Sequence, residues 1–246
     1  MPSIRVKLDI EYDGTDFHGW QVQPESRTVQ GEIERVLSQL CQRKVPITGS
    51  GRTDRGVHAL GQVAHTDISE SELDRVSEGL PALLPEDVAV TSVEHVSRSF
   101  HARYDAVSRL YMYRIEKRKH PLRIRYCHVL PSSHHLDTGA MKEAAGLSLG
   151  TGSWRAMARE GSSNTSWTVQ VMEATVDEDG AGWTFRIRAN RFLRGMVRLW
   201  TGTLVHIGSG SAGPELVKVL LETGDRRDTG DSLPGRGLTL MEVQYS

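Results

Sequence analysis

Ile4-Arg5-Val6-Lys7-Leu8-Asp9-Ile10-Glu11-Tyr12 places an apolar residue at every second position with a charged residue between each pair. Side chains of an extended chain point alternately to opposite faces, so this period of two predicts a strand buried on one face and solvated on the other. The rest of the first half can be read outward from it. Asp13 to Glu25 is rich in turn formers, and Thr28 is placed to cap a helix whose Val29, Ile33, Val36, Leu37 and Leu40 make one apolar stripe. Residues 45 to 50 and 57 to 66 then read as short strands flanking Gly51 to Gly56. Ser69 and Glu72 have the spacing of a capping box ahead of Leu73, Val76, Leu80 and Leu83, a helix that should stop before Pro85. Val88, Val90, Val93 and Val96 complete the half as a strand, and the slip in alternation between Val90 and Val93 suggests a bulge.

The second half repeats that order with different residues: a strand at 107 to 116, a helix at 136 to 149, strands at 167 to 176 and 183 to 189 across Asp179-Gly180, and a helix at 192 to 206. A short helix at 214 to 222, with Pro214 in its first turn, precedes a last strand at 238 to 244. The shared order β-α-β-β-α-β is the split βαβ, ferredoxin-like pattern, twice over. The expected fold is α+β. Two ferredoxin-like halves, residues 1 to 104 and 105 to 246, would form one extended, mainly antiparallel sheet with helices on one face and a cleft between the halves. Connections at 13 to 27, 117 to 135 and 150 to 165 exceed ordinary length, which points to binding work.

Composition narrows the function classes. Thirty Lys and Arg balance thirty-one Asp and Glu, so no blanket of positive potential covers the chain. The charges are nonetheless segregated: Lys117, Arg118, Lys119, Arg123 and Arg125 fill one window without an acid, and Arg186, Arg188, Arg191, Arg194 and Arg198 fill another. Either a phosphate-binding surface or solvated charged loops would read this way. Cys41 and Cys127 stand alone, with neither disulfide nor thiolate-metal spacing, which suits a reducing cytoplasm. A signal peptide and a membrane span are not expected, since the start lacks an apolar core segment and no apolar run reaches about 18 residues.

The sharpest motif is Gly49-Ser50-Gly51-Arg52-Thr53-Asp54-Arg55-Gly56-Val57-His58-Ala59, a glycine-punctuated loop that presents an arginine and a carboxylate two residues apart. It resembles the catalytic signature GRTDxGVHA of the TruA family of tRNA pseudouridine synthases. The resemblance spans nearly the whole chain. Tyr12-Asp13-Gly14 with Gly19-Trp20-Gln21 and Thr28-Val29-Gln30 resembles that family's opening, and Phe100-His101-Ala102-Arg103 with Arg109-Leu110-Tyr111-Met112-Tyr113 its middle. Phe192 with Met196-Val197-Arg198 and Gly202, then Gly237-Leu238-Thr239-Leu240 and Val243, resemble its later motifs.

The resemblance implies conversion of uridine to pseudouridine at positions 38 to 40 of the tRNA anticodon arm, by a cytoplasmic homodimer that needs neither cofactor nor metal. Asp54 would be the nucleophile. Its carboxylate could act at the ribose C1′ or add to C6 of the base. To stay charged in a dry pocket it needs a cation, which by resemblance is Arg198. Tyr111 would stack on the extruded uracil and assist proton transfer at C5. Arg52 would hold the RNA backbone or fill the gap left by the flipped base. Substrate contacts are further expected from Leu238, as an apolar wall, and from Arg55, His58, Arg191 and Arg194. Spacing of three and seven places Arg191, Arg194 and Arg198 on one face of the helix expected at 192 to 206.

Plainer roles exist for these residue types. An aspartate in Thr-Asp-x-Gly can simply close a turn. Arg198 could snorkel at the surface, and Tyr111 and Tyr113 share a strand face where aromatic rings usually pack in the core. His58, His65, Asp54 and Asp67 raise the alternative of a metallohydrolase, although a spacing of seven puts the two histidines on opposite sides of a strand. An RNA-binding module without catalysis is the other rival. Two departures from the family pattern stand out. Arg55 occupies a place where a small residue is common, and Asn164 and Thr168 stand where arginines are frequent, which puts the tRNA contacts of that segment in doubt.

Overall fold

The computed structural model describes residues 2–130, 135–159 and 166–246. The fold is α+β, with ten mostly antiparallel strands and five α-helices among the described residues. The chain divides into two units, Met1–Val107 with Leu240–Ser246, and Ser108–Thr239.

The first unit contains β1 (Ser3–Tyr12), α1 (Val29–Cys41), β2 (Thr48–Gly49), β3 (His58–Ser69), α2 (Leu73–Leu83) and β4 (Val88–Val96). Its strands lie in the order β4-β1-β3, with β2 on β3, and every pair is antiparallel. Ile4, Val6, Leu8, Ile10 and Tyr12 are all buried, as the alternation requires. The slip in β4 is a bulge. Asp9 pairs with Ser92 but Ile10 pairs with Val90, so Thr91 is the extra residue, and its hydroxyl donates to Asp9 O at 3.3 Å. Thr28 caps α1 by accepting Gly31 N–H, and Glu72 accepts Ser69 N–H at 2.8 Å ahead of α2.

The second unit contains most of β5 (Ala106–Glu116), then β6 (His128–Val129), α3 (Thr138–Gly146), β7 (Gly150–Ser153), β8 (Thr168–Glu178), β9 (Gly182–Ala189), α4 (Met196–Gly208) and α5 (Leu216–Thr223). The strand order is β5-β9-β8-β7, antiparallel, with β6 alongside β5 in parallel. β1 pairs with β3 and β3 with β2 in the first unit, and β5 pairs with β9 and β9 with β8 in the second. Trp154, Trp200, Tyr113 and Phe185 are among the largest fully buried side chains, and Trp200 Nε1 donates to Ser148 Oγ at 2.9 Å.

The structure departs from the sequence reading in several places. The strand expected at 45 to 50 is confined to Thr48–Gly49. Pro214 precedes the helix it is expected to open, which runs Leu216–Thr223 behind Glu215. The helix expected at 192 to 206 begins only at Met196, because Gly195 caps it in a left-handed conformation at φ +73°. The helix expected at 136 to 149 is confined to Thr138–Gly146, entered through Asp137, whose carboxylate accepts Ala140 N–H. β6 and β7 fall inside segments read as loops, and neither is long enough for a period of two to show. Finally, β10 (Leu238–Tyr245) begins in the second unit, but from Leu240 onward it belongs to the first, beside β3.

Candidate active site

β2 and β3 are joined by residues 50–57, and the side of this loop nearest β2 is fastened to β3. Ser50 N–H donates to Val63 O at 2.7 Å, Ser50 Oγ donates to Gln62 Oε1 at 2.7 Å, and Gln62 Nε2 donates to Gly51 O at 3.1 Å. The far side is tied to the segment that follows β1. Trp20 N–H donates to Thr53 O at 3.1 Å, Gly56 N–H donates to Phe17 O at 3.4 Å, and the Tyr12 and Thr53 hydroxyls share a hydrogen bond of 2.8 Å. Val57 N–H closes the turn on Asp54 O at 3.2 Å. Gly19, at φ +95°, lets the two segments approach, since a Cβ there would sit 2.6 Å from Thr53 O.

Asp54 therefore sits on a loop whose path is fixed on both sides by main-chain bonds and buried hydroxyls. Its side chain is partly buried, and Arg52 and Arg55 beside it are exposed. Such a frame pre-positions a carboxylate for chemistry better than a mobile loop would. His58 opens β3, only 3% exposed, and its Nδ1 accepts Gly14 N–H at 3.0 Å. His65, on the same strand, accepts Ala102 N–H at 3.1 Å. Among the described residues no group of three or more His, Cys, Asp or Glu side chains could hold a metal ion.

Tyr111, Arg198 and Leu238 belong to the second unit. Tyr111 lies on β5 opposite Ile187, buried, with Phe192 edge-on to its ring at 4.9 Å. Tyr113, two residues on, is fully buried; its hydroxyl donates to Pro234 O at 2.7 Å, and burial raises its phenol far above the ordinary tyrosine pKa. The two tyrosines thus share a face but differ in environment. Arg198, on the first turn of α4, makes a reciprocal pair with Leu233: Nε donates to Leu233 O at 2.5 Å, and Leu233 N–H donates to Arg198 O at 3.3 Å. Leu238 is 6% exposed at the start of β10.

Arg191 and Arg194 precede α4, so the shared helical face expected for them with Arg198 does not exist; the left-handed cap at Gly195 breaks the helical periodicity. Arg191 is partly buried and Arg194 exposed. Several cations of the two basic windows are paired in place, Lys117 with Glu178 at 2.6 Å, Arg123 with Glu116 at 3.2 Å, Arg186 with Asp177 at 2.7 Å and Arg188 with Glu173 at 3.6 Å. Arg118, Lys119 and Arg125 remain exposed. Thr168 opens β8, while Asn164 lies outside the described residues. Sequence reading missed Leu233 and Pro234. They act through main-chain carbonyls, which leave no side-chain signature, and only the turn-forming Pro234-Gly235 marks the segment.

A family model described as tRNA pseudouridine synthase matches residues 10–105 and 144–246. These segments include Asp54, Arg198 and Leu238; Tyr111 falls between them. Proteins named tRNA pseudouridine synthase A align over nearly the full length. The Bacillus pumilus protein is 40% identical over a 251-residue alignment covering 98% of this chain and 99% of its own. The Bacillus subtilis protein is 39% identical over the same shares, and that of Solidesulfovibrio magneticus 41% identical over 98% of this chain and 91% of its own.

Proposed function

The chain belongs to the tRNA pseudouridine synthase family, and from that premise we propose that it isomerises uridine at positions 38 to 40 of the tRNA anticodon arm, with Asp54 as the nucleophile. Family membership supports the reaction and the tRNA substrate. The observation that carries Asp54 is the fastening of its loop on both sides, by Ser50, Gln62, Tyr12 and the Trp20 amide.

The isomerisation breaks the N1–C1′ bond, turns the uracil and rejoins it through C5; the C5 proton is lost and N1, which keeps the bonding pair, takes up a proton. Our reading is that the Asp54 carboxylate acts at the ribose C1′ and departs when C5 attacks. Tyr111 stacks on the turned base and receives or relays the C5 proton. Arg198 supplies a positive charge to the reaction; its bond to Leu233 O fixes the guanidinium plane, which suits a positioning cation. Arg52 and Arg55, exposed on the Asp54 loop, and Arg191 and Arg194 before α4 bind phosphate; Leu238 serves as an apolar wall for the base, and His58 is a further substrate contact. Our reading places the protein in the cytoplasm as a homodimer. No helix among the described residues is long and apolar enough to cross a membrane.

The test is tritium release from tRNA labelled at uridine C5. Wild-type protein should release tritium and Asp54→Asn should not, and binding without release would return the chain to the class of RNA-binding modules. Mapping pseudouridine in tRNA from a strain lacking the protein checks the position: loss in an arm other than the anticodon arm refutes the regional assignment.

A further inference from the structure

We propose that Tyr104 is a stacking platform for one unpaired nucleobase of the RNA substrate, a subsite that rests on the reading of tRNA as the substrate. Tyr104 is 75% exposed, an unusual state for a large aromatic ring on a segment that is firmly held. Arg5 Nη1 donates to Phe100 O at 2.9 Å, Ala102 N–H donates to His65 Nδ1 at 3.1 Å, and the Tyr245 hydroxyl donates to Ala102 O at 2.7 Å. His101 N–H donates to the Asp105 carboxylate at 2.7 Å, and Asp105 N–H returns to His101 O at 3.0 Å. His101 Nδ1 in turn accepts the amides of Arg103 at 3.2 Å and Tyr104 at 3.3 Å.

These bonds hold a ladder of rings that climbs from the core to the surface. The buried His65 ring lies 4.7 Å from His101, and His101 lies 4.3 Å from Tyr104, tilted by 34°. The ladder ends at Tyr104, which is 75% exposed. The Arg103 guanidinium stands over the Tyr104 ring, 5.7 Å from its centroid, and so adds a cation to the aromatic surface that a stacked nucleotide and its phosphate would meet.

A pre-positioned aromatic face with a cation beside it is the chemistry of single-stranded nucleic-acid binding, because every base presents a π-face whatever its sequence. A protein partner would call for a contiguous apolar patch depleted of charge. The chain neighbours of this ring are instead the charged Arg103 and Asp105.

Two substitutions separate ring stacking from mere bulk, Tyr104→Phe, which keeps the π-face, and Tyr104→Leu, which keeps only apolar volume. The probe is an unmodified tRNA transcript, measured by filter binding across a salt series, with a fully paired RNA duplex as the comparison. Expected results are wild-type affinity for Tyr104→Phe and about a tenfold loss for Tyr104→Leu on the transcript. The salt slope should not change, since no phosphate contact is removed, and duplex binding should be unaltered. Wild-type affinity in Tyr104→Leu, or an equal loss on the duplex, overturns the proposal. So does a changed sedimentation coefficient in Tyr104→Leu, which would assign the ring to a protein contact. Tritium release by wild-type protein is read separately: if it is absent while Tyr104→Leu still weakens transcript binding, the activity assignment falls and the stacking subsite stands.

Discussion

The β2–β3 connection of the first unit and the β8–β9 connection of the second each carry an aspartate, and the two turns are held differently. In the second unit, residues 179–181 form a tight turn between β8 and β9. Asp179 Oδ1 accepts Ala181 N–H at 2.8 Å and Gly182 N–H at 2.9 Å, and both carboxylate oxygens meet Arg114 at 2.9 Å. The Arg114 bonds, helped by those amides, hold its carboxyl well below the usual range. In the first unit, residues 50–57 are longer, and the bonds that set their path come from Ser50, Gln62, Trp20, Phe17 and Tyr12. Asp54 contributes its carbonyl to that frame. A turn that depends on its carboxylate leaves that carboxylate no other task. One whose path is set by its neighbours holds every residue of the loop in place, Asp54 included.

Exchanging the two acids for amides gives the largest effect. Asp54→Asn should lower tritium release by at least ~10³-fold, the scale of losing a nucleophile, with the melting temperature little changed. Asp179→Asn should do the reverse, leaving turnover within about twofold and costing about 1 kcal/mol of stability, a modest figure because the Arg114 pair is open to solvent. Comparable loss of release in Asp179→Asn would erase the distinction.

The two tyrosines of β5 sharpen it within one strand. If Tyr111 handles the C5 proton, Tyr111→Phe should slow release by roughly 10²-fold. Tyr113→Phe should leave release within a few-fold, but it strands the Pro234 carbonyl and should cost about 1–2 kcal/mol in urea denaturation. A reversal of these outcomes would move the catalytic role to Tyr113.

How much of this was legible in the sequence depends on what each feature is made of. The β1 strand and the α1 stripe were readable because burial follows side-chain periodicity, and the Thr91 bulge was readable because it breaks that periodicity. The start of α4 was not. The apolar pattern runs back to Phe192, but a left-handed Gly195 ends the helix, and with it the common face of Arg191, Arg194 and Arg198. Of the site, the Arg52-Thr53-Asp54 motif was readable as side chains. The reciprocal bond between Arg198 and Leu233 was not, because it runs through a carbonyl and an amide.

A pair of glycines tests how closely the Asp54 frame is built. Gly19 and Gly150 both have φ +95°, so alanine is strained at either place. Nothing lies within 4 Å of a Cβ on Gly150, whereas on Gly19 it would meet Thr53 O at 2.6 Å. Gly150→Ala should therefore cost about 1–2 kcal/mol and leave turnover alone. Gly19→Ala should cost about 3 kcal/mol and lower turnover about tenfold, since the residue pushed aside adjoins Asp54. Equal effects at the two sites would show that the loop tolerates displacement.

The smallest effect is one of pH, and it again sets one unit beside the other. His65 in the first unit and His128 in the second are both held below the ordinary imidazole pKa, in each case mainly by burial, with Arg5 and His101 adding to the effect at His65 and Arg236 at His128. A group whose folded pKa is depressed takes up its proton in the unfolded chain first. Its contribution is therefore complete above the unfolded value near 6.5 and is lost as pH falls from there through the folded value. Protonation at His65 also removes the acceptor of Ala102 N–H, so this histidine should weigh more than His128. The urea midpoint should fall between pH 7 and pH 5, by about 1 kcal/mol in free energy. His65→Asn, which keeps an acceptor but cannot titrate, should flatten most of that slope. An unchanged slope would place the acid sensitivity in the second unit instead.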